Sequence, residues 1–325
     1  MEPLPTLDAI RVARQRIAPH IHRTPVMTCA SLDRMAGATL FFKCENLQKT
    51  GSFKIRGATN AVFSLPDEMA RRGVVTHSSG NHAAALARAA RERGVPAWIV
   101  MPLNAPLAKC RAVEGYGGQI TFCEPTIAAR ESTAKQILEK TGAVLVHPYD
   151  NPDIIAGQGT ATLELLEEVP DLDVVIAPVS GGGLLSGTAI AAKSLRPQAR
   201  VIGAEPANAD DAYRSMRSGR LEPLSAAVTM ADGLRAGLCQ RTFDILRERV
   251  DEVVLVSEEE IVNAMRHTWE RMKLIVEPSS AVAFAVVLKN LPALAGKHIG
   301  IIVSGGNVDL ERLPFASAES KAAGS

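Results

Sequence analysis

No stretch of this chain approaches the roughly twenty consecutive apolar residues that a membrane span needs, although 46% of its 325 residues are hydrophobic. The first thirty residues carry Asp8, Arg11, Arg14 and Arg16 where a secretory signal would have an apolar core. Charge of one sign is missing too: 36 basic and 35 acidic residues leave a formal +1, with no net field to gather nucleic acid or an anionic membrane. The five cysteines (Cys29, Cys44, Cys110, Cys123, Cys239) form neither a CxxC pair nor an even disulfide framework, which suits a reducing compartment, and they read as buried thiols. These absences predict a cytoplasmic protein with small-molecule chemistry, no nucleic-acid partner and no membrane attachment. There is no internal repeat, and low-complexity sequence is confined to residues 316–325, which read as a frayed tail.

What is present is a regular alternation. Short β-branched runs are followed by Ala-rich amphipathic stretches, as in Val74-Val75-Thr76 before Ala83 to Arg93, and Ala97-Trp98-Ile99-Val100 before Ala108 to Tyr116. Further apolar strands are expected at 144–146, 174–176, 201–204 and 299–303. The pattern predicts α/β architecture, with parallel sheets flanked by helices, in a chain long enough for two packed domains. Ligands in such folds sit beyond the carboxyl ends of strands, so the turns there carry the interest.

Three turns stand out. Ser180-Gly181-Gly182-Gly183-Leu184 could let backbone amides and a helix N-terminus hold an anion, or could simply be flexible. It is neither a Walker A loop nor a GxGxxG dinucleotide turn, so ATPase and dehydrogenase readings lose ground. Ser78-Ser79-Gly80-Asn81-His82 could grip a carboxylate or be an ordinary Ser or Asn cap. Ser304-Gly305-Gly306-Asn307 delivers a hydroxyl to the end of the most apolar strand, where a backbone carbonyl is the plain partner. Lys54 lies in a helix's first turn, with Ser52 read as its N-cap; it gains nothing there from the helix dipole, whereas a desolvated lysine can attack an aldehyde.

Together these motifs resemble the fold-type II pyridoxal phosphate enzymes, related to the tryptophan synthase β chain, and within them the serine/threonine dehydratase and serine racemase branch. The family-like segments run from Arg23-Thr24-Pro25-Val26 through Phe42-Lys43-Cys44-Glu45-Asn46, Gly51 to Lys54, Glu205-Pro206 and Met272 to Pro278, to Ser304-Gly305-Gly306-Asn307. The resemblance implies a two-lobed fold with the cofactor in the cleft, residues 1–68 and 150–325 forming the larger lobe and 73–148 a small mobile one. It implies that Lys54 carries pyridoxal 5′-phosphate, with Phe53 beside the ring, Asn81 on the ring hydroxyl, Gly181, Gly182, Gly183 and Leu184 on the phosphate, Ser304 at the ring nitrogen and Glu277 also on the cofactor side. Ser78, Ser79, Asn81 and His82 would line the substrate carboxylate site, and Ser79 would act on the face opposite Lys54.

The implied chemistry is β-elimination of water and then ammonia from L-serine, L-threonine or threo-3-hydroxyaspartate, an ammonia-lyase reaction, with serine racemase as the alternative. Glu205, Ala209 and Asp211 resemble a divalent-cation loop for Mg²⁺, Mn²⁺ or Ca²⁺. Arg130 aligns with an arginine that would face a second substrate carboxylate. A homodimer is expected by the same analogy, as is a catabolic or metal-activated form, because fifteen residues after Leu310 leave no room for a regulatory domain. Three departures stand against a full match: Ser180 where a glycine is usual, Ala83 after His82, and Ala236-Gly237 where serines are expected. His82 argues against the related cysteine synthases, and the joint presence of Lys54, Ser79 and Asn81 argues against a catalytically retired carrier or sensor.

Overall fold

The protein is described by a computed structural model covering residues 4–315 apart from 79, 106, 226 and 290; Ser79 and the tail from 316 therefore lie outside the described residues. Ten strands form two sheets. Strands β1 (Val26–Met27), β2 (Thr39–Cys44), β7 (Val174–Pro178), β8 (Arg200–Pro206), β9 (Glu252–Val256) and β10 (His298–Val303) form a six-stranded sheet in the order β1-β2-β10-β7-β8-β9. Strands β3 (Val74–His77), β4 (Ala97–Pro102), β5 (Gln119–Cys123) and β6 (Val144–Leu145) form a four-stranded sheet ordered β5-β4-β3-β6. All pairings are parallel except that of β1 with β2. Helices cover the sheets, as the alternating pattern predicts; β7 is buried at every residue, the signature of a parallel strand with both faces packed.

Three helices converge on the turns of interest. The helix Lys54–Ser64 and the helix Gly183–Leu195 both lean on the central helix Pro152–Glu168. A Cβ added to Gly157 would come within 2.6 Å of Gly57 Cα, and one added to Gly187 within 2.5 Å of Gly159 N, so the backbones cross at a spacing that only glycine permits.

Beneath this crossing lies a buried charge network. Arg56 donates to both oxygens of Glu45 (2.7 and 2.8 Å) and of Glu164 (both 2.8 Å), and Lys43 donates to Glu164 at 2.7 Å. Two cations thus meet two anions with every charge hydrogen-bonded, the condition under which buried ions persist. Against the cost of its burial, the carboxylates hold the Arg56 guanidinium firmly charged.

Two local expectations change. Ser52 is not the N-cap of the Lys54 helix; that position is Phe53 in αR geometry, while Ser52 forms an isolated antiparallel bridge with Gly305. Of the cysteines only Cys44, Cys110 and Cys123 are buried, Cys29 and Cys239 being half-exposed.

Candidate active site

The elements bring four separate turns together. Lys54 opens its helix half-buried, and its Nζ donates to Pro148 O at 3.2 Å. Desolvation pushes the amine down to about 8, against the opposing pull of the Glu277 carboxylate. Phe53 lies directly beside it, with Nζ 5.2 Å from the ring centroid. Phe53 N–H donates to Ser304 O at 3.0 Å, so the lysine turn and the buried Ser304 at the end of β10 are tied by backbone.

Asn81 begins the helix Asn81–Arg93, whose N-cap is Gly80 with no side-chain cap bond. The reading of a Ser or Asn side chain as this helix's N-cap is therefore set aside. Asn81 Nδ2 donates to Glu277 Oε1 and Oε2 (2.9 and 3.2 Å), and Asn81 Oδ1 accepts from Asn307 Nδ2 at 2.9 Å. Burial, aided by the negative charge of Asp232, pushes Glu277 up to about 7. Ser78 Oγ accepts the Gly80 amide at 3.4 Å. His82 donates from Nε2 to Val146 O at 3.1 Å, and burial, with Lys54 nearby, drives its pKa down to about 3. The ring is thus neutral, and what His82 offers an anion is its first-turn backbone N–H.

Gly181, Gly182 and Gly183 are all buried, and Gly182 has φ 88°, a left-handed N-cap for the helix that follows. A Cβ on Gly181 would fall 2.3 Å from the Tyr149 ring, and one on Gly182 2.7 Å from Thr242 Cβ. The three glycines therefore form a cradle that side chains would fill. Its first-turn amides have no acceptor within the helix, and the dipole favours an anion there. These features fit a phosphate-bearing aldehyde: a proton-poor lysine for the carbonyl carbon and an amide cradle for the phosphate.

Sequence reading missed a group of rings beside this site. His77 and His147 stack edge to face at 5.5 Å, and His147 meets Tyr149 at 4.6 Å. Burial lowers both imidazoles, His147 to about 4, and raises the Tyr149 phenol to about 12, so all three are neutral. The signal in the sequence was their position at the end of β3 and just past the end of β6. Arg130, in the helix Ile127–Thr141, reaches this group: its positive charge helps keep His77 unprotonated, and its Nε is buried with no hydrogen-bond partner among the described residues.

Glu205 and Asp211 are both buried at a second location. Glu205 accepts the amides of Ala212 and Tyr213 (3.0 and 2.8 Å), and Asp211 accepts that of Leu238 at 2.9 Å. Burial pushes their pKa values up to about 8 and about 6. Among the described residues no three His, Cys, Asp or Glu side chains gather as a metal cluster, so a cation here would depend on these two carboxylates and on backbone oxygen such as that of Ala209, which is also buried.

Comparison with known proteins agrees with this geometry. A family model described as pyridoxal-phosphate dependent enzyme matches residues 17–305. The chain is 51% identical to a β-hydroxyaspartate dehydratase of Paracoccus denitrificans (strain Pd 1222) over 312 residues, 96% of this chain and 99% of that protein. It superposes on the structure of maize serine racemase with a TM-score of 0.93 at 51% identity, covering 95% of each chain. On a threonine deaminase from T.th. the TM-score is 0.90 at 44% identity, covering 94% of this chain and 99% of that one. No helix among the described residues is long and apolar enough to cross a membrane.

Proposed function

The chain belongs to the pyridoxal-phosphate dependent enzymes, and from that premise we propose that it eliminates water and then ammonia from a small 3-hydroxy amino acid, L-serine, L-threonine or threo-3-hydroxyaspartate, to leave a 2-oxo acid. The observation that carries this reading is the desolvated Lys54 amine, bonded to Pro148 O, beside a glycine cradle that packs on the next residue, Tyr149.

Held at Lys54, pyridoxal 5′-phosphate supplies an electron sink for the pair left when a substrate α-proton departs. The chain does the rest. Amides at Gly181, Gly182, Gly183 and Leu184 hold the phosphate, Phe53 packs beside the ring, Ser304 meets the ring nitrogen, and Asn81, braced by Glu277, meets the ring hydroxyl. Ser78, Ser79, Asn81 and His82 bind the substrate carboxylate, His82 through its backbone. Lys54 Nζ receives the α-proton, a task suited to an amine that is largely neutral just above pH 8. Residues 73–148, which hold the four-stranded sheet, act as a mobile lobe that closes on residues 1–68 and 150–325 and excludes water.

Arg130 supports threo-3-hydroxyaspartate in particular, since a half-buried guanidinium with an unspent Nε suits a second carboxylate. Glu205 and Asp211 suit a divalent cation such as Mg²⁺, Mn²⁺ or Ca²⁺, which would relieve two buried acids raised chiefly by desolvation and further by neighbouring carboxylates. A homodimer in the cytoplasm completes the proposal. Serine racemase is the second reading, favoured by the likeness to the maize enzyme, and Ser79 would then return a proton from the opposite face.

Purified enzyme given serine, threonine and both 3-hydroxyaspartate diastereomers, followed by keto-acid and chiral analysis, ranks these substrates. Elimination is expected to yield pyruvate, 2-oxobutyrate or oxaloacetate, and Arg130→Leu should cost the dicarboxylic substrate about a hundredfold in kcat/KM, far more than serine. Lys54→Ala should abolish both turnover and the cofactor's absorbance band. Borohydride reduction that labels another lysine, or none, would overturn the proposal.

A further inference from the structure

Two departures noted in the sequence, Ser180 at the head of the cradle and Ala236-Gly237 in the loop after Asp232-Gly233, meet in the fold. Ser180 Oγ donates to Ala236 O at 3.0 Å and accepts from Ala236 N–H at 3.1 Å. One hydroxyl satisfies both backbone groups of a single residue, and a glycine at position 180 could satisfy neither. The loop continues against the cradle. Leu238 N–H donates to Asp211 Oδ2 at 2.9 Å, and Cys239 N–H donates to Thr242 Oγ1 at 3.2 Å. A Cβ on Gly182 would touch Leu238 Cδ2 at 2.8 Å and Thr242 Cβ at 2.7 Å, so these two side chains form the wall behind the central cradle residue. The clasped residue and the wall lie within a few positions of each other.

We propose that Ser180 is a positioning residue whose hydroxyl fastens the 235–239 loop to the cradle, setting how Leu238 and Thr242 press on Gly182 and therefore where the cradle amides point. The two departures thus meet in one contact, the loop being held through the backbone of Ala236 on the Ser180 hydroxyl. This rests on the cradle being the cofactor-phosphate site.

The test compares Ser180→Gly with Ser180→Ala by three measurements: cofactor affinity from absorbance titration, amide hydrogen exchange at Ala236 and Leu238, and steady-state kinetics. Both substitutions remove the hydroxyl, so both are expected to weaken pyridoxal 5′-phosphate binding about tenfold, as loss of two neutral hydrogen bonds implies, and to speed exchange at Ala236. The kinetic loss should fall on KM more than on kcat. Wild-type affinity and exchange in Ser180→Ala would overturn the clasp even if Ser180→Gly were impaired, because backbone freedom would then be the cause. If both variants fail to fold, Ser180→Cys, a weaker hydrogen-bonding isostere, is measured against the same two outcomes. Borohydride labelling of the same preparations separates the failures: no label at Lys54 in the wild type removes the cofactor reading and the clasp with it, whereas a normal label with unchanged Ser180→Ala affinity removes the clasp alone.

Discussion

Lys54 gives up its proton more readily than an ordinary lysine. Burial disfavours its charged form and lowers its pKa from 10.5 to about 8, with Glu277 opposing the shift. The neutral amine is the reactive form, so the sign follows directly: uptake of pyridoxal 5′-phosphate by cofactor-free enzyme should accelerate about tenfold per pH unit below 8 and level off above it. Stopped-flow absorbance from pH 6 to 10 measures this; a rate still climbing at pH 10 would return Lys54 to an ordinary solvated lysine. The residue was legible in the sequence because the neighbouring turns and the family-like segment Gly51 to Lys54 set it apart from an ordinary solvated lysine. His77, His147, Tyr149 and Arg56 were not. Their roles come from contacts such as Arg56 with Glu164, 108 residues apart, which no local pattern encodes.

At the scale of elements, the lysine and the cradle are aligned by helix crossings instead of by direct contact. Both of their helices rest on Pro152–Glu168 through glycine-to-glycine approaches, so a methyl group at one crossing must push one catalytic element away from the other. Gly157→Ala is expected to destabilise the protein by about 1–3 kcal/mol, read from the denaturant midpoint, and to weaken cofactor binding although position 157 is remote from the cradle. Retained midpoint and affinity would show that the crossing has slack. Most of the interior strands were evident from their apolar runs, while β5, β9 and β2 were not. The first two are sheet edges with mixed exposure, so polar residues interrupt their pattern. In β2 the buried Lys43 breaks the apolar run, and only its distant partner Glu164 explains it.

For the whole molecule, side chains from the unit of the four-stranded sheet bond to that of the six-stranded sheet. Asn81, from the unit of the four-stranded sheet, bonds Glu277, and Lys109 pairs with Asp232. The function we propose is written in turns contributed by residues 54, 81, 182 and 304. The strand order adds a temporal constraint. β10 lies between β2 and β7, and its residues 298–303 follow every other described strand along the chain. A nascent chain arrested before them leaves β2 beside β1 alone and β7 beside β8 alone, with the Ser304 turn not yet made. Arrested chains should therefore show no bound-cofactor colour until that strand inserts.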